Sequence, residues 1–341
     1  MYYVEVLRVW RALRVFAICM AALVIIAAVI RMSIGSPVQN RMLDTMKSPT
    51  AHKTVQTQAD GSITTIIQDD ASGLRAVQTE SGGVLDIKIY EKSKAAKHLK
   101  VSRDKVDAGN GSGGVEVMAD EKTLPDGTHF SHFILNRHVS LTIYLLIAGM
   151  IAAIFATIIG GSLSKENDGH LELAWTKPIS REAYAATVFA VDAVGIVVAG
   201  ALMLLTLAAC TAIAIGMPQF TADSGTLPTA LKALLFPLAW YGIGQLLTAS
   251  MRRGGGIVVG LMWVAALMIP AMLAFDNAFV RTVLRAVDTL NPMAYFGQFS
   301  MPGIPSPTLL AHNATSDIAA LFALTIIAAI ASLLQWRRLE A

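Results

Sequence analysis

Cysteine is nearly absent from this chain. Its two copies in 341 residues, Cys19 and Cys210, both lie inside apolar runs, which excludes a disulfide framework and a cysteine-based metal site. Charge is also scarce: Asp, Glu, Lys and Arg make up 15% of residues, too few for a disordered, heavily solvated chain. The net charge of +3 is too mild to call for a nucleic-acid partner. No Gly-Lys dipeptide occurs, so the chain carries no phosphate-cradling loop of the Walker type. Neither His-Glu-x-x-His nor Gly-x-Ser-x-Gly occurs, which leaves an intramembrane hydrolase little support. What is abundant is apolar surface. Hydrophobic residues make up 54% and mean hydropathy is +0.56, an excess that a soluble α/β enzyme filling this length would not carry and a bilayer would absorb.

The excess falls in runs long enough to cross about 30 Å of hydrocarbon. They are Val15 to Ile30, Leu141 to Ile159, Glu182 to Ile215, Pro228 to Ala249, Ile257 to Phe275 and Ile318 to Trp336. The first is followed by Arg31-Met32-Ser33 rather than a small-residue cleavage site, so it reads as an uncleaved span. Lys and Arg near span ends are held on the cytoplasmic side. With the N-terminus inside, the inner segments hold Arg8, Arg11, Arg14, Lys165, Lys177, Arg181, Arg252, Arg253, Arg337 and Arg338, against Lys232, Arg281 and Arg285 outside. Ten against three puts both termini in the cytoplasm. The fold expected is an all-α polytopic membrane protein of six transmembrane helices, with an inserted β-rich extracytoplasmic domain. Residues 1–32 form the N-terminal segment and first span, 33–140 the outer domain, and 141–341 the rest of the membrane domain.

The 33–140 segment is of different material. Apolar and polar residues alternate, as in Leu85-Asp86-Ile87-Lys88-Ile89-Tyr90, between breaks at Asp60-Gly61, Gly82-Gly83 and Gly109-Asn110-Gly111. Strands are predicted at Thr54 to Gln58, Ser62 to Gln68, Leu74 to Thr79, Val84 to Tyr90 and Val115 to Met118, with Asp60-Gly61 at a hairpin turn. So few aromatics predict a thin core. His129, His132 and His138 invite a metal reading, but no third ligand completes a motif, so no metal site is assigned.

Between the second and third runs lies Ser164-Lys165-Glu166-Asn167-Asp168-Gly169-His170-Leu171-Glu172-Leu173-Ala174-Trp175-Thr176-Lys177-Pro178-Ile179-Ser180-Arg181-Glu182. Leu171, Ala174 and Trp175 at i, i+3 and i+4 give one apolar face, the pattern of a short amphipathic helix, about 164–178, lying on the membrane surface. Pro178 cannot continue it, and Ser180 can cap the next helix with Glu182 in its first turn.

This stretch resembles the signature of ATP-binding cassette (ABC) transporter permeases of the type-two exporter family, the membrane subunits of drug and polysaccharide exporters. In that family a Glu, a Gly, a Leu-Glu pair, then Pro, an apolar residue, Ser or Thr, and Arg mark the cytoplasmic loop between spans two and three. Here those places fall on Glu166, Gly169, Leu171-Glu172, Pro178, Ile179, Ser180 and Arg181. The match departs at His170, where Thr is commoner, and in lacking a Lys shortly after the Arg. Leu290-Asn291-Pro292-Met293 before the last span is similar as well. The resemblance implies a transport subunit that is not itself an enzyme and holds no cofactor. ATP would be bound by a separate ABC ATPase subunit docking on the 166–181 loop as a coupling helix. It also implies a second permease subunit, like or unlike this one, in the inner or plasma membrane. The rival expectation is a membrane-anchored sensor, adhesion or mechanotransmitting protein acting through the outer domain.

Two further features stand out. Gly256 and Gly260 form a Gly-x-x-x-Gly pair that suits close helix approach, either within the chain or, as the family's dimer of membrane domains implies, against the second permease. Asp192, inside the third run, would cost about 2.5 to 3.5 kcal/mol if unpaired near the bilayer centre. It must face protein or water, in a pathway or at a shallow depth.

Overall fold

The computed structural model describes residues 2–34, 51–58, 62–70, 73–81, 84–91, 117–123, 128–136, 138–161, 181–251, 254–272, 278–296 and 313–338. The chain is mostly helical, with helices α1 (Tyr2–Ile34), α2 (Leu141–Ile159), α3 (Arg181–Ile215), α4 (Thr226–Thr248), α5 (Gly255–Met272), α6 (Ala278–Asp288), α7 (Met293–Phe296) and α8 (Ala314–Arg338). Strands β1 (Ala51–Thr57), β2 (Ile63–Asp69), β3 (Leu74–Ser81), β4 (Val84–Glu91), β5 (Val117–Thr123), β6 (His129–Asn136) and β7 (His138–Ser140) come between α1 and α2, and β8 (Gln219–Thr221) precedes α4.

Among the described residues five helices, α1, α2, α3, α4 and α8, are long and apolar enough to cross a membrane. The run expected from Ile257 to Phe275 forms α5, whose apolar part, Gly255–Ile269, is shorter than the other five. α1 and α3 are longer than one bilayer needs. At 1.5 Å per residue their 33 and 35 residues extend roughly 50 Å each, against about 30 Å of hydrocarbon.

The chain divides into two compact units. The first comprises Met1–Ala21, Thr142–Thr206 and Asp223–Ala341. Its core joins Val9 and Leu13 of α1, Phe155 of α2, Ile196 of α3, Phe236 and Trp240 of α4, and Phe296 of α7. Small residues set the helix spacings. A methyl group added at Gly149 would lie 2.7 Å from Phe296 Cζ and 3.0 Å from the Ala233 backbone, and one at Gly242 would lie 3.2 Å from Ala328 Cβ. Phe236 and Phe296 stack with centroids 4.3 Å apart. Thr157 accepts both indole N–H groups of Trp240 (3.0 Å) and Trp263 (2.8 Å), so one hydroxyl ties α2, α4 and α5. At the start of α4, Asp223 Oδ1 accepts from Thr226 Oγ1 at 2.9 Å and from Thr142 Oγ1 at 3.2 Å. The Thr226 bond, then the Thr142 and backbone bonds, outweigh a desolvation that acts the other way and hold the Asp223 carboxyl below the usual carboxylate range.

The second unit comprises Ala22–Leu141 and Leu207–Ala222. Its sheet is six-stranded and antiparallel, in the order β1-β2-β3-β4-β6-β5. Gln58 N–H donates to Ser62 O at 2.9 Å between β1 and β2, and the hairpin turn expected at Asp60-Gly61 lies outside the described residues. Ser81 pairs with Val84 where β3 meets β4. Gly73, at φ 65°, takes the left-handed position that turns β2 into β3. Register aligns Ile67 with Ala76 and Ala76 with Ile89 across three strands, and Leu74 and Ile87 fall on the same face. That row is the thin core expected. The predicted strand at Val115 to Met118 lies further along, at Val117–Thr123. β6 was not predicted, because Phe133-Ile134-Leu135 reads as the approach to the apolar run at Leu141 rather than as an alternating strand. It sits inside the sheet, between β4 and β5. β7 and β8 form a separate parallel pair.

Candidate functional site

Most of the loop singled out in the sequence lies outside the described residues: Glu166, Gly169, Glu172 and Pro178 all fall in 162–180. Arg181 is the first residue of α3. The structure places a polar cluster on the α3 turns that follow.

Asp192, eleven residues into α3, is fully buried. Arg8 of α1 donates through Nη2 to Asp192 Oδ1 at 2.6 Å, and the hydroxyl of Tyr241 on α4 donates to Asp192 Oδ2 at 2.5 Å. Arg8 Nε donates to Glu5 Oε2 at 2.9 Å. Glu5, itself buried, also accepts from the hydroxyl of Tyr184, one turn into α3, at 2.9 Å. Two carboxylates, one guanidinium and two phenols thus join three helices from distant parts of the sequence. Each charged group has an opposite charge or a hydroxyl within hydrogen-bonding distance, the condition for burying charge at all.

The backbone supports this arrangement. Gly195 lies one turn beyond Asp192 on the same face, and a methyl group there would overlap Val9 Cγ1. Val9 therefore fills the space that the glycine leaves, and α1 seats on α3 at the residue next to Arg8. Phe16 of α1 meets Phe155 of α2 edge-on, with centroids 5.3 Å apart. Beside the cluster, Phe189 and Tyr241 meet edge-on at 5.6 Å, and Trp336 packs on Tyr184, Ala185 and Val188.

Asp192 is thus a paired residue. Uncharged sequence runs on from Ala193 to the end of α3.

Glu5, Tyr184 and Tyr241 are members that sequence reasoning missed, and Arg8 was counted only as an orienting charge. The one signal in the sequence was Asp192 itself, a charge in an apolar run that required a partner. A second ion pair joins α4 to α8, where Lys232 Nζ lies 2.5 Å from Asp317 Oδ2. Lys232, counted as an outer-loop charge, is thus a helix-pairing residue. Gly256 and Gly260 lie on α5, and a methyl group at either would meet nothing within 4 Å. Neither glycine is therefore needed for packing within the described chain.

Histidine 132 is on β6, with Nε2 2.8 Å from Asp86 Oδ1, and Lys88 lies 3.1 Å from Asp86 Oδ2. Positions 129 and 132, three apart on one strand, fall on opposite faces of the sheet. Among the described residues no group of three or more His, Cys, Asp or Glu is placed to hold a metal ion. No family model, curated protein or solved structure matches the chain.

Proposed function

We propose that this chain is the membrane permease subunit of an ATP-driven exporter, coupled to a separate ABC ATPase that docks on the 166–181 loop. What supports the reading is the clamp of Glu5, Arg8, Tyr184, Asp192 and Tyr241, set on the first three turns of the helix that this loop feeds. A force applied at Arg181 would reach α1 and α4 together, because breaking the clamp would strand a buried charge. In this reading α5 is the fifth of six spans, both termini are cytoplasmic and 33–140 faces outward. Glu166, Glu172 and Arg181 make the ATPase contacts, and Gly256 and Gly260, bare on their own chain, meet the second permease subunit.

A mechanical variant of the alternative draws on one observation, that α1 runs unbroken from Tyr2 at the clamp to Ile34, the segment leading to the sheet. The same joint would then pull on the outer domain instead of opening a path for solute. The test for both is whether an ABC ATPase co-purifies with this chain from its native membrane. The ATPase should be retained by the full chain and lost on deletion of Glu166 to Thr176. Glu172→Lys should abolish stimulation of ATP hydrolysis. Full stimulation and unchanged assembly in Glu172→Lys would sink the coupling assignment.

A further inference from the structure

The two edges of the six-stranded sheet, β1 and β5, are unlike. β5 carries Asp120, Glu121 and Lys122 in succession, and charge of that density keeps a strand edge from pairing. β1 has no such guard. Its residues, Ala51-His52-Lys53-Thr54-Val55-Gln56-Thr57, include one Lys and no Pro, and they pair with β2 through seven consecutive partners without a bulge. All but Ala51 are exposed, Val55 at 54%, and among the described residues no strand lies against the other side of β1. A continuous edge of this length turns backbone N–H and C=O groups outward, which makes it a template for one more strand.

We propose that β1 pairs antiparallel with β1 of a second copy of this chain, joining the two sheets across a two-fold axis at Thr54. Register selects a second copy over an unlike partner. Centred on Thr54, every residue of the strand is matched: Thr54 meets the partner's Thr54, Lys53 the partner's Val55, His52 the partner's Gln56 and Ala51 the partner's Thr57. The contact is isologous, one patch meeting itself. No like charges face each other, and the aliphatic stem of Lys53 covers the exposed valine opposite. A register centred on Lys53 would set two ammonium groups face to face, and one centred on Val55 would leave Ala51 and His52 without partners. Lys53 stands opposite Ile67, in the row that continues through Ala76 to Ile89, so the pairing also extends the thin core sideways. One strand pair is a small interface, but two copies confined to one membrane meet at high effective concentration. The pairing rests on the exporter reading only for the presence of a second subunit, which it identifies as a copy of this chain.

The test uses the full chain with Cys19→Ser and Cys210→Ser, oxidised by copper phenanthroline in its native membrane. Directly opposed residues have Cα atoms about 4.5–5.5 Å apart, within disulfide reach, so Thr54→Cys should give a linked dimer. Lys53→Cys and Val55→Cys on separately tagged copies should link to each other, and their pair geometry alternates with that at Thr54, so one of the two sites suits a disulfide. Ile66→Cys, opposite Thr54 on β2, should give no dimer, because its two copies would lie three strand spacings apart, about 14 Å. In the Thr54→Cys chain, Val55→Lys sets lysine against Lys53 and should lower linkage several-fold, whereas Val55→Glu should keep it. Absence of linkage both at 54 and between 53 and 55 would overturn the proposal, as would equal losses in the two Val55 variants. Linkage of Thr54→Cys to a different protein would overturn it in favour of an unlike partner at this edge. Linkage through Gly260→Cys without linkage at the strand would overturn it while leaving the exporter reading standing.

Discussion

At the scale of single residues, the chain's most informative position is Asp192, because an apolar run tolerates a carboxylate only with a partner. That requirement was legible in the sequence. The partner was not, because Arg8 lies 184 residues away and only the packed fold brings the two together. Replacing Asp192 by Asn leaves Arg8 and Tyr241 facing a neutral amide. The expected destabilisation is on the order of 3 kcal/mol, the low end for a broken buried pair, since the Arg8 side chain retains 29% exposure. Tyr241→Phe removes one charge-assisted bond and should cost about 1.5–3 kcal/mol. Arg8→Gln combined with Asp192→Asn should cost less than the sum of the two singles. Thermal unfolding of the purified protein in detergent reads all of these, and strict additivity would show that the pair does not couple. Asp223 makes a different prediction. Its folded pKa lies below its unfolded value of about 3.9, so its contribution is complete above that pH and is lost as pH falls through the folded value. Melting temperature should be insensitive to this group from pH 5 to 8 and should fall below about pH 4. Asp223→Asn should lower stability at neutral pH and flatten that part of the acid slope.

At the scale of elements, the helices with long apolar runs and the first four strands, set off in the sequence by breaks such as Asp60-Gly61 and Gly82-Gly83, were legible, because period and turn chemistry are local properties. Alternating residues in β2, β3 and β4 identify the face on which Ile67, Ala76 and Ile89 meet. β6 was not legible, since its pairing with β4 and β5 is non-local and its own sequence lacks period two. The role of each glycine was equally hidden. Gly149, Gly195, Gly256 and Gly260 all sit in apolar helices, yet only the first two abut a neighbour. Gly195→Ala should therefore push Val9 outward and loosen the seat of α1 on α3, destabilising by about 1–3 kcal/mol despite alanine's better helix propensity. Gly149→Ala should do the same between Phe296 and Ala233. Gly260→Ala, with open space around it, should instead stabilise the monomer by up to about 1 kcal/mol. Melting temperatures of the three variants in detergent decide the matter. Equal losses in all three would mean that close approach is not what distinguishes these glycines.

At the scale of the whole molecule, the orienting charges and the span count can be tested together. Arg8 is engaged with Asp192, but Arg11 and Arg14 are exposed, so the charge bias expected to hold the start of α1 inside does not depend on it. The element that decides the span count is α5. Its 18 residues reach roughly 27 Å, just short of about 30 Å of hydrocarbon, and it opens at Gly254, where φ of 82° turns the chain sharply into the helix. If α5 crosses, Arg285 and the sheet share one side of the membrane and Met251 lies on the other. If α5 turns back, Arg285 lies with Met251, and α8 then carries the C-terminus to the side opposite the N-terminus. Single cysteines at Thr57, Met251 and Arg285, in the chain lacking Cys19 and Cys210, separate these cases with a membrane-impermeant maleimide. Labelling of 57 and 285 in intact cells, with 251 labelled only after the cells are opened, is the pattern expected of six spans. Labelling of 57 alone in intact cells would reduce the count to five, place the termini on opposite sides, and remove the topological support for a type-two permease.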